Sequence, residues 1–435
     1  MQLRLQHINK IKKAEIILNG LTVIAGANDT GKSTVGKILF TIIKAINSLR
    51  GYDENMRYRE LKKKFYILRI AMQNLPIEER SAFQTILGIH NWDNELQIES
   101  LFEKISNDDC LNKAFECLSK VEPRVRVRVE KVLKEMQNVI LRSNDRTEWL
   151  KQELKNMIEA EFLNRICSFD TNRSEIALEN NDGSPYLNVA LEDNQVKQVN
   201  LLNEDCNIWG DATFVESPLY LHLLDMLVAS QTLKEQQGIR TYLRPVVNYH
   251  IKDMAQKLDA ARYSTSDLFS TSLSERIHAD FISITGGNFS FDSHKKRLSW
   301  LKGGKEYSPV NVASGIKAFG VMQLLIDSHS IDEDKMLMWD EPENHLHPEW
   351  QIKFAKILVL MAQAGIPIVV SSHSPYFIQA IRYFAHETEM DNFVNYYLAE
   401  EQEDGLSELQ NVTKDLNRLF LKLAQPMNEI VNLGM

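Results

Sequence analysis

Residues Gly26-Ala27-Asn28-Asp29-Thr30-Gly31-Lys32-Ser33 spell a complete G-x-x-x-x-G-K-S loop. Backbone N–H groups from Asn28 to Ser33 at this spacing can wrap a β-phosphate, Lys32 can reach the β and γ oxygens, and the Ser33 hydroxyl can ligate Mg²⁺. Gly26, Asn28, Asp29, Thr30, Gly31, Lys32, Ser33 and Thr34 are therefore the candidate phosphate contacts. A second group of chemically able residues lies far along the chain, where the apolar run 336–339 ends in Asp340-Glu341-Pro342. Adjacent carboxylates at a strand end repel, which costs energy unless a cation compensates. Asp340 is predicted to hold Mg²⁺ through its water shell, and Glu341 to polarise an attacking water as general base. A third apolar run, Ile368-Val369-Val370, ends in Ser371-Ser372-His373-Ser374-Pro375 and predicts His373 at the same sheet edge, aligning Glu341 and the water. Ser314-Gly315, opening a helix over 318–327, offers a further anion site.

Each of these groups needs an element to hold it. The run Leu21, Val23, Ile24, Ala25 reads as a buried strand and 34–46 follows at helical period, so the loop stands in strand, loop, helix context. The order of the motifs resembles the ABC-class ATPases, in the branch containing the SMC, RecF and overcoming-lysogenization-defect (OLD) proteins. The segment Asp340-Glu341-Pro342-Glu343-Asn344-His345-Leu346-His347-Pro348 is similar to the joined Walker B and D-loop of OLD-like ATPases, and Ser372-His373-Ser374-Pro375 to their switch loop. The resemblance implies an α/β fold: an ABC-type P-loop ATPase head, with a mixed sheet and an antiparallel β-subdomain, carrying an inserted, mostly helical lobe. It implies ATP and Mg²⁺ as cofactors, conversion of ATP and water to ADP and phosphate, and a head-to-head homodimer or higher oligomer. In such a pair Lys32, Ser33, Asp340, Glu341 and His373 act in cis, and Ser314 and Gly315 complete the partner head's γ-phosphate site in trans. The signature here reads Ala313-Ser314-Gly315-Ile316-Lys317, without the family's second glycine and glutamine. Gln84, the one tempting Q-loop residue, falls in a helical stretch and reads as solvent-facing. His345 and His347 have metal-ligand spacing but no further ligand nearby, and the D-loop reading already covers them.

Periodicity divides the chain into head residues 1–48, an inserted helical lobe 49–170, a β-rich part of the head 171–216, a helical arm 217–284, the C-terminal part of the head 285–400, and a helical tail 401–435. Residues 3–8 and 14–18 alternate as an antiparallel pair, Asn181-Asp182-Gly183-Ser184 marks a hairpin, and 299–304 marks another. Heptads are not sustained, so a long coiled coil is not expected.

With 44% hydrophobic and 25% charged residues among 435, the chain can bury a large core. It has no apolar run of 18 or more, opens on a strand pattern, and its cysteines (Cys110, Cys117, Cys167, Cys206) show no C-x-x-C spacing. A cytoplasmic protein without membrane contact is expected. The net charge of −9 excludes a globally basic coat. Three local clusters could still meet DNA: Arg57, Arg59, Lys62, Lys63, Lys64; Arg124, Arg126, Arg128, Lys131; and Lys295, Lys296, Arg297. The stretch after His373 lacks the acidic cluster of a two-metal nuclease. Together with the OLD-like segment, this predicts a sensor or scaffold subunit of a bacterial anti-phage defence complex, similar to the ATPase halves of Septu-like or PARIS-like pairs, controlling a separately encoded nuclease or toxin. The alternative is a RecF/SMC-like DNA-binding ATPase of repair or recombination. A transporter subunit fits the long insertion and degenerate signature poorly, and a metabolic kinase leaves Ser314, Gly315 and His373 without work.

Overall fold

A computed structural model describes residues 1–50, 54–73, 75–89, 96–141, 146–202, 208–229, 247–263, 272–292 and 297–433. The chain opens with the antiparallel pair β1 (Gln2–Ile8) and β2 (Ile11–Ile17), whose alternating burial follows the period-two apolar pattern. Strand β3 (Leu21–Gly26) is buried along its whole length, as a central parallel strand requires. It feeds helix α1 (Lys32–Arg50). After five helices comes α7 (Arg146–Phe162), and then β4 (Arg173–Glu179), β5 (Pro185–Glu192), β6 (Gln195–Leu201) and β7 (Asp211–Val215). Next are α8 (Tyr249–Ala260), α9 (Ser272–Thr285), β8 (Asn288–Phe291), β9 (Leu298–Lys302) and β10 (Lys305–Tyr307). The chain then runs through α10 (Ser314–Asp327), β11 (Lys335–Asp340), α11 (Pro348–Gln363), β12 (Ile368–Ser372), α12 (Pro375–Glu387), β13 (Val394–Glu401), β14 (Ser407–Asn411) and α13 (Leu416–Leu433).

Among the described residues the main sheet has eleven strands in the order β6-β5-β4-β1-β2-β14-β13-β3-β12-β11-β7. Its β6 to β2 end is antiparallel, whereas β13, β3, β12, β11 and β7 all run parallel. A second sheet, β10-β9-β8, is antiparallel and closes at Gly303-Gly304. This is the mixed α/β architecture expected, with one antiparallel flank.

The parallel strands set the site. Asp340 pairs with Ser371, Ser372 with Ala25, and Trp339 with Val215, so the carboxyl ends of β3, β12, β11 and β7 finish at one level. In open α/β sheets ligands bind outside this edge. Beneath it, the core stacks Trp339 on Phe354 at 5.2 Å and Phe354 on Phe319 at 5.3 Å, edge to face. Gly320 lets α10 press on Phe289, for a Cβ there would lie 2.2 Å from its ring.

The chain forms two compact units, one of Met1–Asn47 with Leu150–Met435 and one of Ser48–Trp149. The smaller is helical: α2 (Glu54–Met72), α3 (Ile77–Leu87), α4 (Leu96–Ser106), α5 (Asp108–Cys117) and α6 (Pro123–Leu141) enclose Phe65, Leu68, Phe83, Leu101, Leu133 and Met136. It closes at Trp149, short of the 170 read from periodicity. Three further expectations change. The described residues of 217–284 are not a separate helical arm, since Leu221, Leu224, Met254, Leu258, Ile277 and Phe281 join the core of the head. The tail is not wholly helical: β14 inserts between β13 and β2. Helix α10 starts at Ser314, not 318. Cys206 and the pair Lys295, Lys296 lie outside the described residues, as do the side chains of Arg57 and Arg59.

Candidate functional site

The phosphate loop turns between β3 and α1 with Asp29 at φ 62° and Gly31 at φ 82°. A side chain at Gly31 would be strained in this left-handed backbone, and its Cβ would sit 2.7 Å from Ile11. Gly26 is tight for another reason, since its Cβ would stand 2.6 Å from the Ala399 carbonyl. Thr30 donates its hydroxyl to the Ala27 carbonyl at 2.8 Å, and the Thr34 amide donates to Gly31 at 3.1 Å. Asp29 pairs with Lys10 at 3.1 Å, and Asn28 is exposed. Lys32 is buried, donating to the Ala27 carbonyl at 2.7 Å with Glu341 at 3.7 Å.

Asp340 closes β11 and accepts a hydrogen bond from Ser371, with the Ser33 hydroxyl close enough to act on its carboxyl. Burial pushes its carboxyl above the usual range; those two hydroxyls oppose the shift and the charges of Glu341 and Glu216 add to it. A divalent cation between Ser33 and Asp340 would relieve this penalty, so the residues fit Mg²⁺ held by one hydroxyl, one carboxylate and substrate phosphates. Glu341 follows with φ 45°, a strained backbone of the kind that collects at working sites. Its amide donates to the Ser371 carbonyl at 3.2 Å, and its side chain accepts from Asn344 at 2.9 Å with His373 Nδ1 at 3.2 Å. Burial raises the Glu341 pKa, but the Asn344 hydrogen bond with the nearby His373 and Lys32 wins and holds it below the usual range. Lys32, Ser33, Asp340, Glu341 and His373 thus meet at one sheet edge. Ser314 and Gly315 begin α10, where a Cβ at Gly315 would meet His345, Leu346 and Trp350.

Several neighbours carry no local sequence signal. Glu216, one residue past β7, receives Lys37 at 2.9 Å, the Tyr220 hydroxyl at 2.9 Å and His250 Nε2 at 3.4 Å. The His250 contact, outweighing burial together with Lys37, holds Glu216 well below the ordinary carboxylate range. His250 is buried, and its Nδ1 meets Glu161 at 2.6 Å. Lys44 and Lys257 alternate with Asp211 and Asp253 in a partly buried ring of four charges, with Lys257 at 2.8 Å and 2.9 Å from the two carboxylates. Lys37 and Lys44 are seven apart on α1, so the helix that carries Lys32 is tied down twice along one face. Glu343 and Asn344, inside the motif, were read only as part of a D-loop.

The basic clusters of the smaller unit are partly spent within it. Lys64 pairs with Glu135 at 2.9 Å, and Arg126 with Glu130 at 2.7 Å. Gln84 lies on α3 of the same unit, half-buried. His347 caps α11, accepting from the Glu349 amide at 3.3 Å. No described helix is long and apolar enough to cross a membrane.

A phosphate loop between a buried strand and its helix, facing an acidic strand end two strands away, defines an ATP-binding ATPase of the P-loop class. The chain belongs to the AAA ATPase domain family, whose model matches residues 8–378. No curated protein matches it. Among solved structures it is similar to an SMC head bound to the C-terminal winged-helix domain of ScpA, at 12% identity and TM-score 0.41 over 94% of this chain and 97% of that one. It is also similar to the SMC head domain from Thermotoga maritima, at 9% identity and TM-score 0.37 over 94% and 98%. A Pyrococcus furiosus SMC head with an extended coiled coil, bound to the C-terminal domain of ScpA, aligns at 11% identity and TM-score 0.41 over 98% of each chain. Likenesses this distant say nothing of what the chain acts on.

Proposed function

We propose that the chain hydrolyses ATP as an ABC-class head that works in pairs, and that it serves as the sensor or scaffold subunit of a bacterial anti-phage defence complex. The observation that carries the hydrolytic part is the convergence on Glu341, with His373 at 3.2 Å and Lys32 at 3.7 Å from one carboxylate oxygen. Ser33 and Asp340 would hold Mg²⁺, which supplies positive charge to the phosphate oxygens. The loop amides and Lys32 bind the β and γ oxygens. Glu341, kept ionised by Asn344, His373 and Lys32, accepts the proton of the attacking water. His373 orients that carboxylate and stands by the γ-phosphate.

Pairing is supported by the place of Ser314 and Gly315. They open α10 beside His345 and Trp350, and a helix N-terminus of this kind could meet a nucleotide held by another copy. The defence role rests on the likeness of Asp340 to Pro348 to OLD-like ATPases, with a separately encoded nuclease or toxin as the controlled effector. The alternative, a RecF/SMC-like ATPase acting on DNA, would work through the basic lobe residues, of which Lys64 and Arg126 are already paired.

The test measures Mg²⁺-dependent phosphate release by the purified chain over a dilution series. Specific activity should fall on dilution and vanish in Lys32→Ala. Activity independent of concentration refutes pairing, and activity retained in Lys32→Ala refutes the site. Co-expression with the products of adjacent open reading frames tests the defence role, which fails if none associates.

A further inference from the structure

Glu343 is buried, 3% exposed, and among the described residues is one of the few acidic side chains so deep in the fold. One of its oxygens, Oε1, accepts three hydrogen bonds from the last residue of β12 and the loop after it: the Ser372 hydroxyl at 2.6 Å, the His373 amide at 2.9 Å and the Ser374 amide at 3.2 Å. Oε2 is buried and has no hydrogen-bond partner. His373 Nδ1 faces two acids at once, 3.2 Å from Glu341 and 3.7 Å from Glu343. Ser374 is fixed from a second side, donating its hydroxyl to Gln351 at 2.7 Å and capping α12 through the Phe377 amide at 3.3 Å. None of this is needed for the fold of β12 itself, whose ladder to β3 and β11 is complete up to Ser372 and Ser371.

We infer that Glu343 is a positioning residue for hydrolysis: its buried carboxyl clamps the backbone of the Ser372 to Ser374 loop and so aims His373 at Glu341. The inference deepens the ATPase reading above and rests on it. Its logic is geometric. The three donors converge on one atom, so removing that atom leaves the Ser372 hydroxyl and the His373 amide without this acceptor and the Ser374 amide with only the Ser372 hydroxyl at 3.1 Å, and the loop must move to satisfy the freed groups. A shift of about 1 Å in a group that aligns reactants is enough to cost about 10²-fold in rate. Burial pushes the Glu343 carboxyl above its usual range, as expected for an acid whose second oxygen faces no donor, and a neutral acid still offers Oε1 as acceptor. A charged Glu343 would compete with Glu341 for the imidazole.

The experiment compares Glu343→Gln and Glu343→Ala in the full chain, alone and combined with His373→Ala. Glutamine keeps a carbonyl oxygen at the Oε1 position and should leave kcat within about threefold of the parent, whereas alanine should lower kcat about 10²-fold. Affinity for a non-hydrolysable Mg·ATP analogue should stay within about threefold in both. On the His373→Ala background, Glu343→Ala should cost no more than about twofold further. The ¹³C-labelled His373 ring signal, assigned by its loss in His373→Ala, should keep its position in Glu343→Gln and move in Glu343→Ala. Glutamine as inactive as alanine, alanine as active as the parent, a full second loss on the His373→Ala background, or a ring signal unmoved in Glu343→Ala would each overturn the inference. A parent without ATP hydrolysis refutes the functional reading instead, and the ring signal then decides the clamp by itself.

Discussion

Replacing Glu341 with glutamine preserves the side chain's length and removes its charge and basicity. Asn344 donates to this side chain at 2.9 Å and can donate to a glutamine oxygen as well, so the loop has no reason to move. None of the phosphate-binding amides from Asn28 to Ser33 belongs to the Glu341 loop, and Lys32 keeps its anchor on the Ala27 carbonyl at 2.7 Å. Ground-state affinity for Mg·ATP should therefore stay close to that of the parent. The chemical step loses its proton acceptor, which is worth about 10²- to 10⁴-fold in kcat. At 1.36 kcal/mol per decade this is a barrier rise of about 3–5 kcal/mol. The assay pairs single-turnover hydrolysis with calorimetric nucleotide binding, and Lys32→Ala serves as the contrast, since it should abolish binding. If Glu341→Gln and Lys32→Ala lose affinity equally, or if Glu341→Gln hydrolyses ATP like the parent, the division of labour argued for these two residues is wrong.

Ser314→Arg should bind nucleotide normally yet lose the concentration-dependent part of hydrolysis, checked by calorimetry and by phosphate release over a dilution series. His250→Gln tests the buried Glu161, His250, Glu216 chain. Burial alone would lower the His250 pKa, but hydrogen bonds to Glu161 and Glu216 outweigh it and raise the imidazole above 6.5. A group raised on folding stabilises fully below its unfolded value and ceases to do so as pH climbs through its folded one. The parent's urea midpoint should thus exceed that of His250→Gln most below pH 6.5 and by less at alkaline pH, and an advantage that grows with pH contradicts the assignment. Gly320→Ala places a Cβ 2.2 Å from the Phe289 ring. Overpacking of about 1–3 kcal/mol should outweigh the helix-propensity gain of about 1 kcal/mol, lowering the chemical-denaturation midpoint.

Motifs whose parts are neighbours in the chain were readable in advance. The phosphate loop, the Asp340-Glu341 strand end and the Ser371 to Pro375 loop each combine a short apolar run with a reactive end, and local spacing reports both. The turn at Asn181 to Ser184 and the hairpin at Gly303-Gly304 were legible for the same reason, since both depend on residues that accept a left-handed backbone. The helical stretch 217–284 misled because a surface arm and a layer packed on a sheet share one amphipathic period; only the partner face distinguishes them. The tail misled because β14 is a short half-buried strand beside a long amphipathic helix.

By itself the sequence determined which side chains have types that could do chemistry and which elements end in them. Tertiary structure decided their company: β12 lies between β3 and β11, so Ser371 reaches Asp340, and Glu343 reaches the His373 loop about thirty residues away. It also brought Glu161 and Glu216 to the two sides of His250 and drew Lys37 and Lys44 of α1 onto acids more than 160 positions later. Such meetings follow from strand order and from the burial that makes each unpaired charge costly, and neither quantity is written in the spacing of residues along a chain.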